Sequence, residues 1–222
     1  ETYWHPRFTE HAEQDMDSAG KQLLETLGGC VLDAAVEEPF GSFLSGGIDS
    51  SSVSGLLAQR TNQAVDTYSI GFDAEGYDEI PFARLSSDYF GTNSHEYYVQ
   101  PEDILETVSL IAAAYDEPFG NSSALPAFYC AKVAAENGIK VLLAGDGGDE
   151  LFAGNQRYAK QFIFEHYYKL PHMLRQGILE PLAKSFISSS VTLFRKPSSY
   201  IQQASVPLPD RLETYNFLNH FD

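Results

Sequence analysis

Basic residues are scarce in this chain: 14 Lys and Arg stand against 31 Asp and Glu, for a net charge of −17. Binding a phosphate backbone needs clustered cations that displace counterions, so no nucleic-acid partner is expected. A small nucleotide stays open, because backbone amides and a divalent cation can hold one inside an acidic protein. Cysteine is scarce as well. Cys30 and Cys130 show no Cys-x-x-Cys or His-x₃-His spacing around them, so no zinc is expected. Both lie in apolar, helix-like segments and read as buried thiols of a reducing, cytoplasmic compartment. Long hydrophobic runs are missing: nothing approaches the ~18 apolar residues of a membrane span. The opening "ETYWHPRFTEHAEQDMDS" has no apolar signal core and no initiator Met. Residues 1–17 read as an extension or linker, and the chain as a piece of a longer protein.

What is present suits a folded α/β domain. Apolar residues make up 43 % of the 222, and at this length folding buries roughly 70 % of the surface. Leu23, Leu24, Leu27, Val31, Leu32 and Ala35 recur near a period of 3.6 and predict a helix over 18–37, weakened at Gly28 and Gly29 and ended by Pro39. Strands are predicted at 40–44, 65–72, 94–99 and 139–145, and helices at 51–60, 78–90, 101–115 and 127–138. Residues 116–126 and 146–154 read as loops. This alternation predicts a parallel twisted sheet with helices on both faces. Ligands of such sheets bind beyond the carboxyl ends of the strands, where loops 45–51, 71–77 and 145–154 fall. A core over 18–160 is followed by a mostly helical segment, 161–222. In it Phe162, Phe164, Tyr167 and Tyr168 suggest core packing, or packing between two copies in a homodimer.

Two loops carry chemistry. "FLSGGIDSSS" (43–52) has the glycines and hydroxyls of a phosphate cradle but not the lysine of a P-loop. Gly46 and Gly47 let the backbone turn and approach a ligand. Ser45, Ser50 and Ser51 offer hydroxyls, and the helix that follows aims its free N–H groups at the loop. Asp49 would repel phosphates unless a cation stood between them, so it predicts a hard divalent ion such as Mg²⁺. "AGDGGDELFAG" (144–154) brings Asp146, Asp149 and Glu150 close together after a buried strand. Either loop alone is more often a plain turn; the reading rests on both occurring on one framework.

"SGGIDSS" resembles the pyrophosphate loop of the N-type ATP pyrophosphatases, the PP-loop enzymes, whose fold is adenine nucleotide alpha hydrolase-like. With "SIGFD" (69–73), "YDEPFGNSSALP" (115–126) and "LLAGDGGDELFAG" (142–154), the chain resembles the synthetase domain of glutamine-hydrolysing asparagine synthetases. The resemblance implies an ATP- and Mg²⁺-dependent carbon–nitrogen ligase that adenylates a carboxylate, releases pyrophosphate and transfers ammonia. It implies that Ser45, Gly46, Gly47, Asp49, Ser50 and Ser51 hold pyrophosphate. Asp49 and Asp149 would share the metal. Leu44, Ile70, Gly71, Ala144 and Gly145 would border the adenosine, and Asp146 and Glu150 would face the acyl centre. Glu117, with Ser122 and Ser123, would help shape the acyl pocket, or Glu117 is a turn carboxylate beside Pro118.

The chain also departs from that pattern. Asp146 stands where asparagine synthetases commonly carry Glu, which points toward an acceptor other than aspartate. The glutaminase domain with its terminal Cys is missing, so it is expected as a partner domain in the full-length protein. The catalytic lysine of the later part has no match; Lys160 and Arg157 read as surface residues. The alternatives are another PP-loop enzyme, such as a β-lactam synthetase-like or polysaccharide-modifying amidotransferase, and a non-catalytic nucleotide-binding remnant.

Overall fold

The computed structural model describes residues 15–35, 39–61, 63–74, 76, 78–116, 123–186, 192–208 and 210–213, with backbone alone at 157, 192–195 and 213. Four strands, β1 (Phe40–Phe43), β2 (Asp66–Phe72), β3 (Asn93–Val99) and β4 (Val141–Leu143), form one sheet in the order β3-β2-β1-β4. Every neighbouring pair is parallel, with Gly41 opposite both Asp66 and Leu142 and Tyr68 opposite His95. Parallel neighbours need crossovers. α2 (Ile48–Thr61) and α3 (Ile80–Phe90) carry the chain from β1 to β2 to β3. α4 (Pro101–Ala114) and α5 (Ala124–Glu136) then return it to β4, on the other side of β1. The direction of winding therefore reverses between β1 and β4.

Side chains alternate across the sheet with the period of two that a strand imposes. On one face Phe40 and Leu143 pack with Leu57 of α2, Val65 and Val31 of α1 (Met16–Ala34). There the Ser42 and Ser54 hydroxyls also meet at 2.8 Å. On the other face Tyr68 packs with Cys130 and Ala134 of α5, beside Phe43, Ile70 and Leu142. Helix boundaries follow local chemistry. The Asp15 carboxylate accepts from the Ser18 N–H at 3.1 Å to start α1. Pro81 and Pro101 sit in first turns, where a missing N–H costs nothing. α3 stops at Gly91 with φ 68°.

Several boundaries differ from the sequence expectation. α2 starts at Ile48, so Asp49, Ser50 and Ser51 are its first turn and not a loop before it. α5 starts at Ala124, because Pro126 still falls among the N-terminal residues whose N–H has no helical acceptor. The 146–154 loop contains a short helix, α6 (Gly148–Phe152), entered through Gly147 at φ 90°. α1 runs unbroken through Gly28 and ends at Ala34. A Cβ on Gly28 would lie 2.7 Å from Arg60 Nε, so this glycine leaves room for the Arg60 side chain of α2 and does not interrupt the helix. Cys30 is exposed, contrary to expectation. It precedes buried Val31 by one residue, which turns it about 100° away from the core-facing stripe.

The described residues up to Asp146 make one compact unit, and those from Gly147 onward make a second. The second is helical: α6, α7 (Gln156–Tyr168), α8 (His172–Leu174), a π-helical turn (Arg175–Leu179), α9 (Glu180–Phe186), α10 (Thr192–Ser205) and α11 (Asp210–Glu213). Phe164 and Tyr167 are buried with Ala204 in its core, whereas Phe162 is exposed. Arg211 is buried completely. It donates to Val206 O at 2.7 Å, Gln161 Oε1 at 3.2 Å and Glu165 Oε1 at 3.0 Å. A buried charge is tolerable only when paired and hydrogen-bonded in this way.

Leu57 is fully buried where α1, α2 and the sheet meet. Leu57→Ala is expected to lower unfolding free energy by roughly 2–5 kcal/mol in equilibrium urea denaturation. A loss under about 1 kcal/mol would mean that this contact does not organise the first unit.

Candidate functional site

A cavity of about 970 Å³ opens in the first unit at the carboxyl ends of β1, β2 and β4. Its place follows from the topology: winding reverses between β1 and β4, and ligands of such sheets bind in the crevice beyond the carboxyl ends of the strands at that reversal. Leu44 and Ser45 reach it from the end of β1, Asp49 and Ser50 from the first turn of α2, and Ile70 from β2. Ala144, Gly145 and Asp146 reach it from the end of β4, and Ser123 from the start of α5.

The loop after β1 is tightly tied. The Ser45 N–H donates to Ser50 Oγ at 3.2 Å, and the Ser45 and Ser50 hydroxyls are 2.9 Å apart. The Gly47 N–H donates to Ser45 Oγ at 3.3 Å, and the Ser50 hydroxyl reaches Gly47 O at 3.3 Å. The Ser51 N–H donates to Gly47 O at 3.0 Å, closing the first helical turn. The N–H groups of Ile48, Asp49 and Ser50 precede that bond and have no helical acceptor. They form the positive end of α2, favourable for an anion. A Cβ on Gly145 would lie 2.8 Å from Ser50 N and 2.8 Å from Asp49 C. Only a glycine lets the chain after β4 approach that turn so closely.

The other predicted residues stand differently. Gly46, at φ 80°, rests on α3: a Cβ there would come within 2.5 Å of the Phe82 carbonyl carbon. The Ser51 hydroxyl meets Ser86 Oγ of α3 at 2.9 Å. Gly71 lies beneath Tyr98 and Ile80. Leu44 is buried, its N–H donating to Tyr68 O at 2.9 Å and its carbonyl accepting from Ser69 Oγ. Any backbone bond from Leu44 to a ligand is thus limited to the carbonyl's second lone pair. Asp149 and Glu150 belong to the second unit, on α6, where Glu150 Oε1 accepts from the Tyr158 hydroxyl at 3.1 Å. Lys160 is exposed on α7. Glu117 and Ser122 lie outside the described residues, as does the Arg157 side chain.

One wall was not anticipated. Leu125, Ala127 and Cys130 of α5 line the cavity with Phe72 and Tyr68. The spacing 127, 130, 134 on one helix face was readable, but nothing in it distinguished a cavity wall from ordinary core. Burial pushes the Cys130 thiol up to about 12, and its Sγ–H points to Tyr68 O at 3.5 Å. This wall is apolar and unreactive. The opposite lining carries hydroxyls, helix-end amides and Asp49. A ligand with a flat apolar part and an anionic part suits both, as a nucleotide does. Among the described residues no three His, Cys, Asp or Glu side chains form a metal cage. Asp49 in the cavity lining is a donor of the kind that suits Mg²⁺, which binds through one or two carboxylates together with phosphate oxygens.

The chain is similar to known proteins. The family model described as asparagine synthase matches residues 22–216. A putative asparagine synthetase [glutamine-hydrolyzing] 2 of Methanocaldococcus jannaschii is 40 % identical over 62 % of this chain and 26 % of its own. Asparagine synthetase [glutamine-hydrolyzing] 1 of Bacillus subtilis is 28 % identical over 78 % of this chain and 26 % of its own. The chain thus spans about a quarter of the length of these two relatives. Among solved structures, NMN synthetase from Francisella tularensis aligns at 19 % identity with a TM-score of 0.40, over 55 % of this chain and 52 % of that one.

Two outcomes are expected. Gly46→Ala forces a side chain into α3 at a positive φ, so ATP binding measured by calorimetry should weaken at least tenfold; unchanged affinity would detach the loop from the site. A thiol reagent at pH 8 should titrate one thiol in the native protein, Cys30, and two in denaturant. Rapid modification of both in the native state would contradict a closed α5 wall.

Proposed function

Because the chain belongs to the asparagine synthase family, we propose that it is the ATP- and Mg²⁺-dependent synthetase part of a carbon–nitrogen ligase that converts a carboxylic acid, aspartate or another, into its amide. The observation that carries this reading is the convergence of Ser45, Asp49 and Ser50 with Gly145 and Asp146 on one cavity at the reversal between β1 and β4.

In this reading the triphosphate lies with its β- and γ-phosphates on the loop 45–50, held by the α2 amides and the two serine hydroxyls. The adenosine lies against Ile70, Ala144 and Gly145. Asp49 would hold Mg²⁺, which when bound neutralises phosphate charge. A carboxylate oxygen of the acid attacks the α-phosphorus, and the α–β bridging bond breaks. Pyrophosphate leaves with that electron pair. Ammonia then attacks the acyl carbon, loses a proton, and AMP leaves. Asp146, which lines the cavity, would accept the proton. The chain's own contribution is preorganised charge at the leaving group and alignment of the acid, the two effects that lower such barriers most.

The shorter Asp146, where asparagine synthetases commonly carry Glu, supports a substrate larger than aspartate. A glutaminase domain would supply ammonia in the full-length protein. No helix among the described residues is long and apolar enough to cross a membrane.

The test is pyrophosphate release from ATP and Mg²⁺ with ammonia across a panel of carboxylic acids. One acid is expected to drive release, and Asp49→Ala to reduce the rate about 100-fold or more, the scale of losing one preorganised charge contact. Release equal in all acids, or a near-full rate in Asp49→Ala, would overturn the assignment.

A further inference from the structure

Ser51 and Gly46 belong to the pyrophosphate motif, yet neither lines the cavity. Both face α3. The Ser51 hydroxyl is 2.9 Å from Ser86 Oγ, and its N–H is committed to Gly47 O at 3.0 Å. Gly46 lies so close to α3 that a Cβ would stand 2.5 Å from Phe82 C and 2.6 Å from Ala83 N. Phe82, Ala83 and Ser86 occupy positions i, i+1 and i+4 of α3, so one face of that helix meets both ends of the loop. α3 is itself fixed by buried Ile80, Ala83 and Ser87.

We propose that Ser86 is a positioning residue for the candidate nucleotide site. It touches no ligand; it holds Ser51, and through it the first turn of α2, at the angle where the amides of residues 48–50 converge on an anion. Ser51 accordingly acts as an anchor and not as a direct pyrophosphate ligand. The Ser45 and Ser50 hydroxyls, which do line the cavity, remain the contacting groups. A loop whose donors are tied to one another needs an external rest if ligand binding is to exchange those bonds without letting the turn collapse. The α3 face supplies it. This inference rests on the reading of the cavity as an ATP and pyrophosphate site.

The experiment uses Ser86→Ala, Ser86→Thr, Ser51→Ala and the Ser51→Ala/Ser86→Ala pair, with two readouts. The first is amide hydrogen exchange of the 44–52 segment without ligand. Ser86→Ala should accelerate it several-fold with little change elsewhere in the sheet, and Ser86→Thr, which keeps the hydroxyl, should restore it. The second is binding of Mg²⁺–pyrophosphate. Each single alanine variant should weaken it three- to tenfold, and the pair no further, because the two residues act through one contact. Unchanged exchange in Ser86→Ala, or additive losses in the pair, would overturn the proposal. If no variant and not the parent protein binds pyrophosphate or ATP, the nucleotide reading fails, and the exchange readout still decides whether Ser86 holds the loop. A general loss of protection across the protein in Ser86→Ala would mean a structural role only and would also overturn it.

Discussion

The approach of Gly145 to the first turn of α2 is the contact on which the site depends. It brings the chain leaving β4 within van der Waals reach of Asp49 and Ser50, which follow β1. The parallel order β3-β2-β1-β4 prepares that meeting, because β1 and β4 are parallel neighbours whose carboxyl ends lie side by side. The core on each face serves the same end. Leu57 and Val31 fix α2 from one side, while Cys130 and Tyr68 wall the cavity from the other. Packing and chemistry thus share residues here. Ser54 is an example, since its buried hydroxyl bonds Ser42 of β1 one turn beyond the phosphate loop.

A chain of net charge −17 is an unpromising host for a triphosphate, since the overall field repels it. Local structure outweighs that field at short range. Amides at the end of a helix of 14 residues present partial positive charge at contact distance, and distant carboxylates are screened over about 8–10 Å at ordinary ionic strength. The acidic balance then favours the divalent cation that a triphosphate brings with it. It also offers a reason for the absent P-loop lysine. Such a lysine serves transfer of the terminal phosphoryl group; in the proposed reading the loop only has to hold a departing pyrophosphate, for which amides, hydroxyls and a metal on Asp49 would suffice.

Much of this was legible in the sequence, for identifiable reasons. Strands 40–43, 66–72 and 93–99 announce themselves by β-branched and aromatic runs bounded by Gly, Pro and polar residues, and α4 by Pro101 with two acids behind it. The loop after β1 was readable as a cavity-lining turn, because Gly-Gly followed by Asp-Ser-Ser after a buried strand places hydroxyls and a carboxylate at the sheet's carboxyl edge. The α5 wall was not, since Ala127 and Cys130 look the same facing a cavity as facing a core. Nor could spacing show that Ser51 turns to Ser86: 35 residues separate them, and the pairing exists only because α2 and α3 lie side by side. Cys30 misled because an apolar neighbourhood in sequence is shared by both faces of a helix, whereas burial belongs to one.

The proposed reaction places cleavage of ATP at its α-phosphorus. The most direct measurement is ³¹P NMR of the phosphorus products formed during turnover with Mg²⁺, ammonia and the accepted acid. For that reaction, AMP and pyrophosphate are expected in equal amounts. ADP and inorganic phosphate as the first products would contradict it, since they would require attack at the γ-phosphorus, for which the loop 45–50 provides no lysine.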